Sequence, residues 1–475
     1  MFVEHLRAGF PALWIETQEP GRTISEWAKA AMEIGFKVFR WDIIDGVRGV
    51  NGNFQKKADD PLQAIKFLED FDGERVVLFL CNYHKFINAI EVSQKILNVA
   101  DKFKSAGKVL VVLSPNTSIP IELEKVFVML TYELPDREEL KRVLLYMSES
   151  SGVKLPKNEV VENILEAGRG LSSFEFENSL ALSLVTKNTF EAGVVMDQKC
   201  QLIKKNSTLI LENYDESMAN LGGLENLKEF CLKVASSPLS RGVLLLGTPG
   251  TGKSHFAKAL GRELGLPTPA LDFGRMFGSL VGESEGKIRA ALKIIDAFSP
   301  CVLFIDEFEK GISGIQSSGQ TDSGVGSKVY GTFLTWLSDH KSRVFVVATC
   351  NDISKIPPEF LRAERWDAIF FVDLPNGRER RTIFEIYRKH FGIREDFGAV
   401  NMDGWSGAEI KSLCRIAAML KSSLQDAARY VMPLSQSMGE KINGLREWAS
   451  MRTIPASLLE NEGGGSANKR KLQTN

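Results

Sequence analysis

Short apolar runs alternate with amphipathic segments in the first part of the chain. Each run is rich in Val, Ile, Leu or aromatic residues and is bounded by turn-forming residues. These runs predict strands at Pro11–Glu16, Lys37–Asp42, Arg75–Cys81, Lys108–Leu113 and Val126–Leu130, with a helix from about Ile24 to Ile34. Strands that are apolar along their whole length are typical of parallel sheets covered by helices on both faces, so an α/β domain is predicted.

The same scheme returns further along the chain. Strands are predicted at Gly242–Leu246, Cys301–Ile305, Val344–Ala348 and Ala368–Val372. Helical patterns follow each α/β part, from Arg137 to about Val185 and from Gly377 to about Ala428. Residues 186–215 have the character of a connector with one helical stretch. The Gly-rich and basic end from Glu462 predicts a flexible tail.

Composition narrows the class of protein. The 475 residues carry 59 Lys plus Arg against 60 Asp plus Glu, a formal net charge of −1, which disfavours a surface built wholly for nucleic acid. No apolar run reaches the ~20 residues that span a bilayer, and the N-terminus lacks a secretory pattern, so no membrane is expected. The six cysteines form no CxxC pair, which favours a reducing cytoplasm over a disulfide framework.

The strongest motif follows the strand at Gly242–Leu246. It is G-x-x-x-x-G-K-[ST] between a strand and a helix, which is the context that a phosphate-binding loop requires. Glycines let backbone N–H groups surround phosphate, and the N-terminus of the next helix attracts the same anion. The lysine can neutralise phosphate oxygens, and the last hydroxyl can bind Mg²⁺. The predicted binding residues are Gly247, Thr248, Pro249, Gly250, Thr251, Gly252, Lys253 and Ser254.

Two later strand ends carry polar residues of matching chemistry. Asp306 and Glu307 follow the strand at Cys301–Ile305. Asp306 is predicted to hold Mg²⁺, and Glu307 to polarise the attacking water as general base. Asn351 ends a further strand, where its amide could orient that water; a turn-forming Asn is the alternative interpretation.

In order and spacing, these motifs resemble those of the AAA+ ATPases, in the clade that unfolds or remodels proteins. The resemblance covers about Tyr214 to Ala428 and includes LRAERWD at Leu361–Asp367 and GWSGAE at Gly404–Glu409. It implies the P-loop NTPase fold of an AAA+ module, with a parallel sheet between helices plus a helical lid. It also implies ATP and Mg²⁺ as ligands and a homo-oligomeric ring, most often a hexamer.

The resemblance also implies roles for single residues. Arg362 and Arg365 are similar to arginine fingers that reach the nucleotide of a neighbouring subunit, with plain surface arginines as the alternative. Gly407 and Ala408 are similar to the residues that bring the lid to the nucleotide, and Asp215–Leu221 would lie near adenine.

Two segments depart from the family pattern. Leu280, in Ser279–Gly282, stands where the family usually has an aromatic pore-loop residue. A leucine offers less area to grip a threaded polypeptide, which disfavours a strongly processive unfoldase and suits a remodelling ring or a ring whose pore is not the working part. Gly311–Ser327 is rich in Gly and Ser where relatives carry charged residues, and pore-loop work and simple disorder are equally compatible with it.

The first part of the chain resembles a damaged copy of the second. Gly21-Arg22-Thr23 corresponds to Gly252-Lys253-Ser254, and Gly170–Ser173 to Gly404–Gly407, at nearly constant spacing. In the copy, Glu16 and Glu19 stand in the loop, where carboxylates would repel phosphate. We therefore expect a degenerate AAA-like α/β domain that binds no ATP productively, with an unrelated α/β domain as the alternative.

This arrangement resembles the AAA proteins encoded as conserved open reading frames in plastid and cyanobacterial genomes. The predicted domains are a degenerate AAA-like domain at 1–136, its helical lid at 137–185, a connector at 186–215, a nucleotide-binding domain at 216–376, a helical lid with a C-terminal helix at 377–458 and a tail at 459–475.

Three functions compete at this level. The first is Mg²⁺-dependent ATP hydrolysis in a ring that remodels an unidentified protein partner. The alternative is a nucleotide-gated scaffold with slow ATPase activity. A nucleic-acid motor is the least favoured, because only Lys469-Arg470-Lys471 forms a basic cluster.

Overall fold

The computed structural model describes residues 1–52, 54–115, 117, 119–205, 208–211, 214–275, 283–310, 323–362 and 364–458. The predicted pore loop around Leu280, most of Gly311–Ser327 and the tail from Glu462 lie outside the described residues. The chain divides into two compact units. Unit 1 comprises Met1–Pro156 and Leu171–Phe190, and unit 2 comprises Lys157–Gly170 and the chain from Glu191 onward.

The described residues of unit 1 form a seven-stranded sheet in the order β4-β3-β2-β5-β6-β1-β7. The strands are β1 (Ala12–Glu16), β2 (Lys37–Asp42), β3 (Gly46–Gly49), β4 (Gln55–Lys56), β5 (Val76–Cys81), β6 (Lys108–Ser114) and β7 (Phe127–Thr131). The helices are α1 (Phe2–Arg7), α2 (Pro20–Glu33), α3 (Pro61–Asp70), α4 (Ile90–Ala106), α5 (Arg137–Ser151) and α7 (Ser173–Lys187).

Strand β1 shows why these runs are apolar along their whole length. Leu13 and Ile15 enter the core on one face of the sheet, and Ala12 and Trp14 enter the core on the other. All four side chains are buried, because strands of a parallel sheet are covered on both faces. The Trp14 indole N–H donates to the Ser114 hydroxyl at 2.8 Å, so its one polar group is satisfied.

The structure adds elements that the sequence pattern does not predict. Strands β3 and β4 extend the sheet of unit 1 in antiparallel fashion, and both are short. Helix α2 begins at Pro20, four residues before the predicted start, because proline suits the first position of a helix. The helical stretch from Arg137 is broken by turns, and α5 packs against α7.

The described residues of unit 2 form a seven-stranded sheet in the order β14-β13-β9-β12-β11-β10-β8. The strands are β8 (Leu209–Leu211), β9 (Gly242–Gly247), β10 (Pro269–Leu271), β11 (Cys301–Ile305), β12 (Val344–Cys350), β13 (Ala368–Val372) and β14 (Ile454–Pro455). The helices are α6 (Asn158–Gly168), α8 (Ala192–Lys205), α9 (Glu225–Val234), α10 (Lys253–Glu263), α11 (Glu283–Phe298), α12 (Ser323–Asp339), α13 (Gly377–Phe391), α14 (Gly407–Leu420), α15 (Leu424–Ala428), α16 (Leu434–Ser437) and α17 (Gly439–Ala449).

The two sheets share one topology. The parallel order β2-β5-β6-β1-β7 in unit 1 is matched by β10-β11-β12-β9-β13 in unit 2. In each unit the strand before the predicted phosphate loop therefore lies between two parallel neighbours. The predicted class, a parallel sheet between helices in both units, is confirmed. None of the described helices is both long and apolar enough to cross a bilayer.

Helices α13 to α15 form a small helical layer after the sheet of unit 2. Their shared core includes Phe384 on α13, Leu413 on α14 and Leu424 on α15. Helix α14 begins with a capping box, in which the Ser406 hydroxyl accepts the Glu409 N–H and the Glu409 carboxylate accepts the Ser406 N–H. This cap fixes where α14 begins, and that start faces the candidate site.

Candidate active site

The loop between β9 and α10 is built so that its backbone can turn tightly. Gly250 and Gly252 have φ angles of +77° and +93°, a region that favours glycine. A Cβ on Gly250 would lie 3.0 Å from the Cβ of Ala408, at the start of α14. A side chain at Gly250 would therefore press on α14, and the two glycines allow a turn in which backbone N–H groups can face an anion.

Lys253, the first residue of α10, is a buried cation. Its side-chain amine donates to the Gly247 carbonyl at 2.8 Å and to the Thr248 carbonyl at 2.6 Å. Burial lowers the pKa of Lys253 to about 8, although nearby groups that include Asp306 and Glu307 act in the opposite direction. A buried ammonium held by neutral carbonyls gains from an incoming anion, which is the role of this lysine in a phosphate loop.

Asp306 and Ser254 lie side by side at the end of β11 and the start of α10. The Ser254 hydroxyl donates to the Asp306 carboxylate at 2.9 Å. Thr349, on the neighbouring strand β12, donates its hydroxyl to the same carboxylate oxygen at 2.6 Å and accepts the Glu307 N–H at 2.9 Å. Thr349 thus orients both acidic residues, although the sequence analysis does not single it out.

Glu307 is engaged from two sides. The Asn351 amide donates to one of its carboxylate oxygens at 3.3 Å, and the Lys310 amine donates to the other. This hydrogen bond raises the pKa of Lys310. The backbone of Glu307 has a φ of +47°, an uncommon value for a residue with a side chain. Asn351 is itself held by its N–H, which donates to Glu309 at 2.9 Å.

A cavity of about 320 Å³ lies where these elements meet. Eleven of the predicted residues line it: Pro249, Gly250, Thr251, Gly252, Lys253, Ser254, Asp306, Glu307, Asn351, Gly407 and Ala408. Helix α14 closes one side, because the Ala408 N–H donates to the Gly250 carbonyl at 3.0 Å. Asn220 and Leu221, from the stretch expected near adenine, are also in the lining.

Several lining residues are absent from the sequence prediction. They are Gly222, His255, Thr349, Ile383, Tyr387 and Lys411. Ile383 and Tyr387 are four residues apart on α13, and Gly407 and Lys411 are four apart on α14. Residues at this spacing share a helix face, so a periodicity argument that started from Gly407 could have found Lys411.

Arg362 and Arg365 are not among the residues that line this cavity. Arg362 is exposed, and Arg365 donates to the Glu359 carbonyl. Neither arginine is therefore a ligand of the nucleotide site within its own chain.

The donor set at the mouth of the cavity suits Mg²⁺. Ser254 and Asp306 bring a hydroxyl and a carboxylate together, and Mg²⁺ prefers such oxygen ligands alongside substrate phosphates. These two residues would hold the ion. It would neutralise negative charge on the phosphates.

Comparison with known proteins identifies the family of the chain. The family model for the N-terminal domain of SpoVK-like AAA ATPases matches residues 1–132, and the model for their second domain matches residues 137–206. The model for the ATPase family associated with various cellular activities (AAA) matches residues 243–374, which include the phosphate loop, Asp306 and Glu307. The chain belongs to the AAA ATPase family. The P-loop AAA+ fold expected from its motifs is thereby confirmed, and family membership supports nucleotide binding.

Relatives cover both units of this AAA ATPase. The chain is 34% identical to the AAA domain-containing protein ycf46 of Guillardia theta over 94% of each chain. It is 33% identical to the ycf46 protein of Pyropia yezoensis over 94% of this chain and 96% of the relative. It is 30% identical to a cell division cycle protein 48 homologue of Archaeoglobus fulgidus over 42% of this chain and 30% of the relative.

Replacing Thr349 with valine tests the arrangement of the acidic pair. Valine keeps the shape but removes the hydroxyl that binds both Asp306 and the Glu307 N–H. We expect Thr349→Val to weaken ADP binding about 10-fold in the presence of Mg²⁺, the size of effect seen when a supporting group around a metal is lost. Isothermal titration with and without EDTA measures this, and the Mg²⁺-free affinity should not change. Thr349→Ser is the matched control; equal ADP affinity for Thr349→Val and the wild type would contradict the assignment.

Proposed function

We propose that unit 2 hydrolyses ATP in a Mg²⁺-dependent reaction, within a homo-oligomeric ring that is most often a hexamer in this family. The hydrolysis would drive remodelling of a protein partner. The observation that carries the proposal is the convergence of Lys253, Asp306, Glu307 and Asn351 on one cavity. Each supplies a different requirement of phosphoryl transfer to water: anion binding, an oxygen ligand, a base and a neutral orienting group.

In the proposed reaction, Glu307 accepts a proton from the attacking water as that water bonds to the terminal phosphorus. ADP leaves from the opposite side. Asn351 would orient the water, and the loop N–H groups with Lys253 would stabilise the phosphate oxygens. Gly407 and Ala408, at the start of α14, would report nucleotide occupancy to the helical layer.

The positions of Arg362 and Arg365 support the proposed ring. In this family, fingers act across a subunit boundary, and both Arg362 and Arg365 lie outside their own chain's cavity. Placed at a neighbour's nucleotide, either would stabilise negative charge in the transition state.

The reducing cytoplasm stays part of the proposal, since all six cysteines are free thiols in the described chain.

Two substitutions separate binding from chemistry. Lys253→Ala should abolish measurable ATP binding, because it removes the cation that faces the phosphates. Glu307→Gln should keep ATP affinity and lower turnover about 10²-fold or more, because the amide cannot take the proton from water. A coupled phosphate-release assay and a nucleotide titration measure the two effects. Glu122→Gln, an exposed carboxylate in unit 1, is the charge-matched control.

Full turnover in Glu307→Gln would contradict the assignment of Glu307 as the base.

The same variant addresses the remodelling step, because an ATP-bound ring that cannot hydrolyse should retain its protein partner. Retention should require ATP and should be lost in the double variant Lys253→Ala/Glu307→Gln. A partner bound equally by the double variant would contradict nucleotide-driven remodelling.

Mixed assemblies test whether Arg362 acts across subunits. Arg362→Ala alone should lower turnover about 10³-fold while ATP affinity stays unchanged. Lys253→Ala alone is also inactive, but its Arg362 is intact. If the finger acts in trans, mixing the two inactive proteins should restore part of the phosphate release, because each site with Lys253 can meet a neighbour with Arg362. No recovery at any mixing ratio, with co-assembly shown by size-exclusion chromatography, would contradict the trans role.

One observation favours the alternative, a nucleotide-gated scaffold with slow ATPase activity. Both carboxylate oxygens of Glu307 already have partners, namely Asn351 and Lys310. Each oxygen keeps a second acceptor site, but the two bonds restrict how the carboxylate can turn toward an attacking water. Basal hydrolysis would then be slow, and assembly could be governed by ATP occupancy.

Removing the amine of Lys310 tests this restraint. Lys310→Met should raise basal turnover several-fold, because one oxygen of Glu307 is then released at no cost to the phosphate loop. Phosphate release at saturating ATP measures the effect, and Lys341→Met, at an exposed position, is the control. A fall in turnover like that of Glu307→Gln would instead place Lys310 among the groups that support catalysis.

A further inference from the structure

The Glu19 side chain of unit 1 is hydrogen-bonded to the start of α7, whereas unit 2 makes the matching bond with a backbone carbonyl. One oxygen of its carboxylate accepts the Phe174 N–H at 2.8 Å, and the other accepts the Ser173 N–H at 3.3 Å. Ser173 and Phe174 are the first two residues of α7. The carboxylate therefore lies at a helix N-terminus, where N–H groups lack helical partners and the helix dipole attracts negative charge.

The corresponding place in unit 2 faces the nucleotide cavity. Glu19 and Gly250 each stand two residues before the glycine of the corresponding loops, Gly21 and Gly252. Helices α7 and α14 each begin after a serine that forms a capping box. In unit 2, the second N–H of α14 meets the Gly250 carbonyl, beside open cavity. In unit 1, the second N–H of α7 meets the Glu19 carboxylate instead.

The backbone of Glu19 is fixed so that its side chain is aimed at α7. Its N–H donates to the Thr17 hydroxyl at 3.0 Å, and its carbonyl accepts the Thr23 hydroxyl at 2.9 Å. The two threonine oxygens are 2.8 Å apart, and both side chains are buried. This hydrogen-bonded turn replaces the glycine-rich loop of unit 2, so the carboxylate is preorganised rather than a chance surface contact.

The cation of this loop is engaged elsewhere. Arg22, which corresponds to Lys253, donates to Glu26 at 2.9 Å. Glu26 also accepts the Tyr132 hydroxyl at 2.7 Å. Unit 1 therefore combines a carboxylate directed at the lid helix with an arginine that pairs within its own helix, the reverse of the charge arrangement that binds phosphate.

We propose that the Glu19 carboxylate takes the place that the Gly250 carbonyl has in unit 2, so that it holds α7 against the loop and excludes nucleotide from unit 1. The N-terminal unit would then have a permanently closed lid, and only α14 of unit 2 would respond to nucleotide. The proposal concerns bonds within unit 1, so it stands or fails independently of ATP hydrolysis in unit 2.

Hydrogen exchange on the full-length protein tests the latch. Glu19→Gln keeps the shape of the side chain but removes the charge and one acceptor oxygen. We expect the first-turn amides of α7 to exchange about 10-fold faster in this variant, while exchange in β6 stays unchanged and shows that the sheet remains folded. Glu33→Gln, at an exposed position at the end of α2, is the matched control. The exchange rate of Glu19→Asp should lie between those of the wild type and Glu19→Gln.

Nucleotide supplies the second arm. In the wild type, saturating ADP with Mg²⁺ should slow exchange in the first turn of α14 and leave the first turn of α7 unchanged. Wild-type exchange rates at α7 in Glu19→Gln, or protection of the first turn of α7 by ADP in the wild type, would overturn the proposal. Loss of β6 protection in Glu19→Gln would also overturn it, because Glu19 would then support the sheet and not the lid alone.

Discussion

The buried ammonium of Lys253 governs the arrangement of unit 2. Taking a charge out of water is costly, and the carbonyls of Gly247 and Thr248 compensate it only in part. Both acidic residues follow β11, and their carboxylates are bound to other groups, Asp306 to Ser254 and Thr349 and Glu307 to Asn351 and Lys310. The site thus keeps a partly compensated cation and a separate acidic pair, and all three residues line one cavity.

Unit 1 has the same parallel strand order as unit 2, but its loop carries a carboxylate where unit 2 has a glycine. The strand, loop and helix are retained, but the start of the lid helix is bonded to a carboxylate of the chain itself, that of Glu19. The order of the strands therefore does not determine whether the loop can bind phosphate. A parallel sheet needs apolar strands and covering helices, and β1 has both, whereas phosphate binding needs a bare backbone loop, which unit 1 lacks.

The sequence predicted those features that are local or that recur as motifs. Long central strands were found because apolar runs report burial on both faces, whereas β3, β4, β8, β10 and β14 are too short for any run to mark them. The phosphate loop, Asp306 and Glu307 follow from spacing alone. Thr349 could not be recognised, because its role depends on contacts between two strands, whereas Lys310 stands only three residues after Glu307 and could have been found from that spacing. Glu19 was expected to repel phosphate, but its bond to α7 joins segments far apart in sequence.

The restraint on Glu307 and the position of Arg362 bear on one question, which is what starts hydrolysis. Within a single chain, the base is bound to Asn351 and Lys310, and the arginine lies outside the cavity. Binding of ATP within one chain would not bring Arg362 into the cavity, because Arg362 does not line it. In the proposed ring a neighbouring subunit would supply that arginine, and the added positive charge would then compete with Lys310 for the carboxylate. On this argument, assembly would precede catalysis, and hydrolysis would report that two subunits are correctly packed.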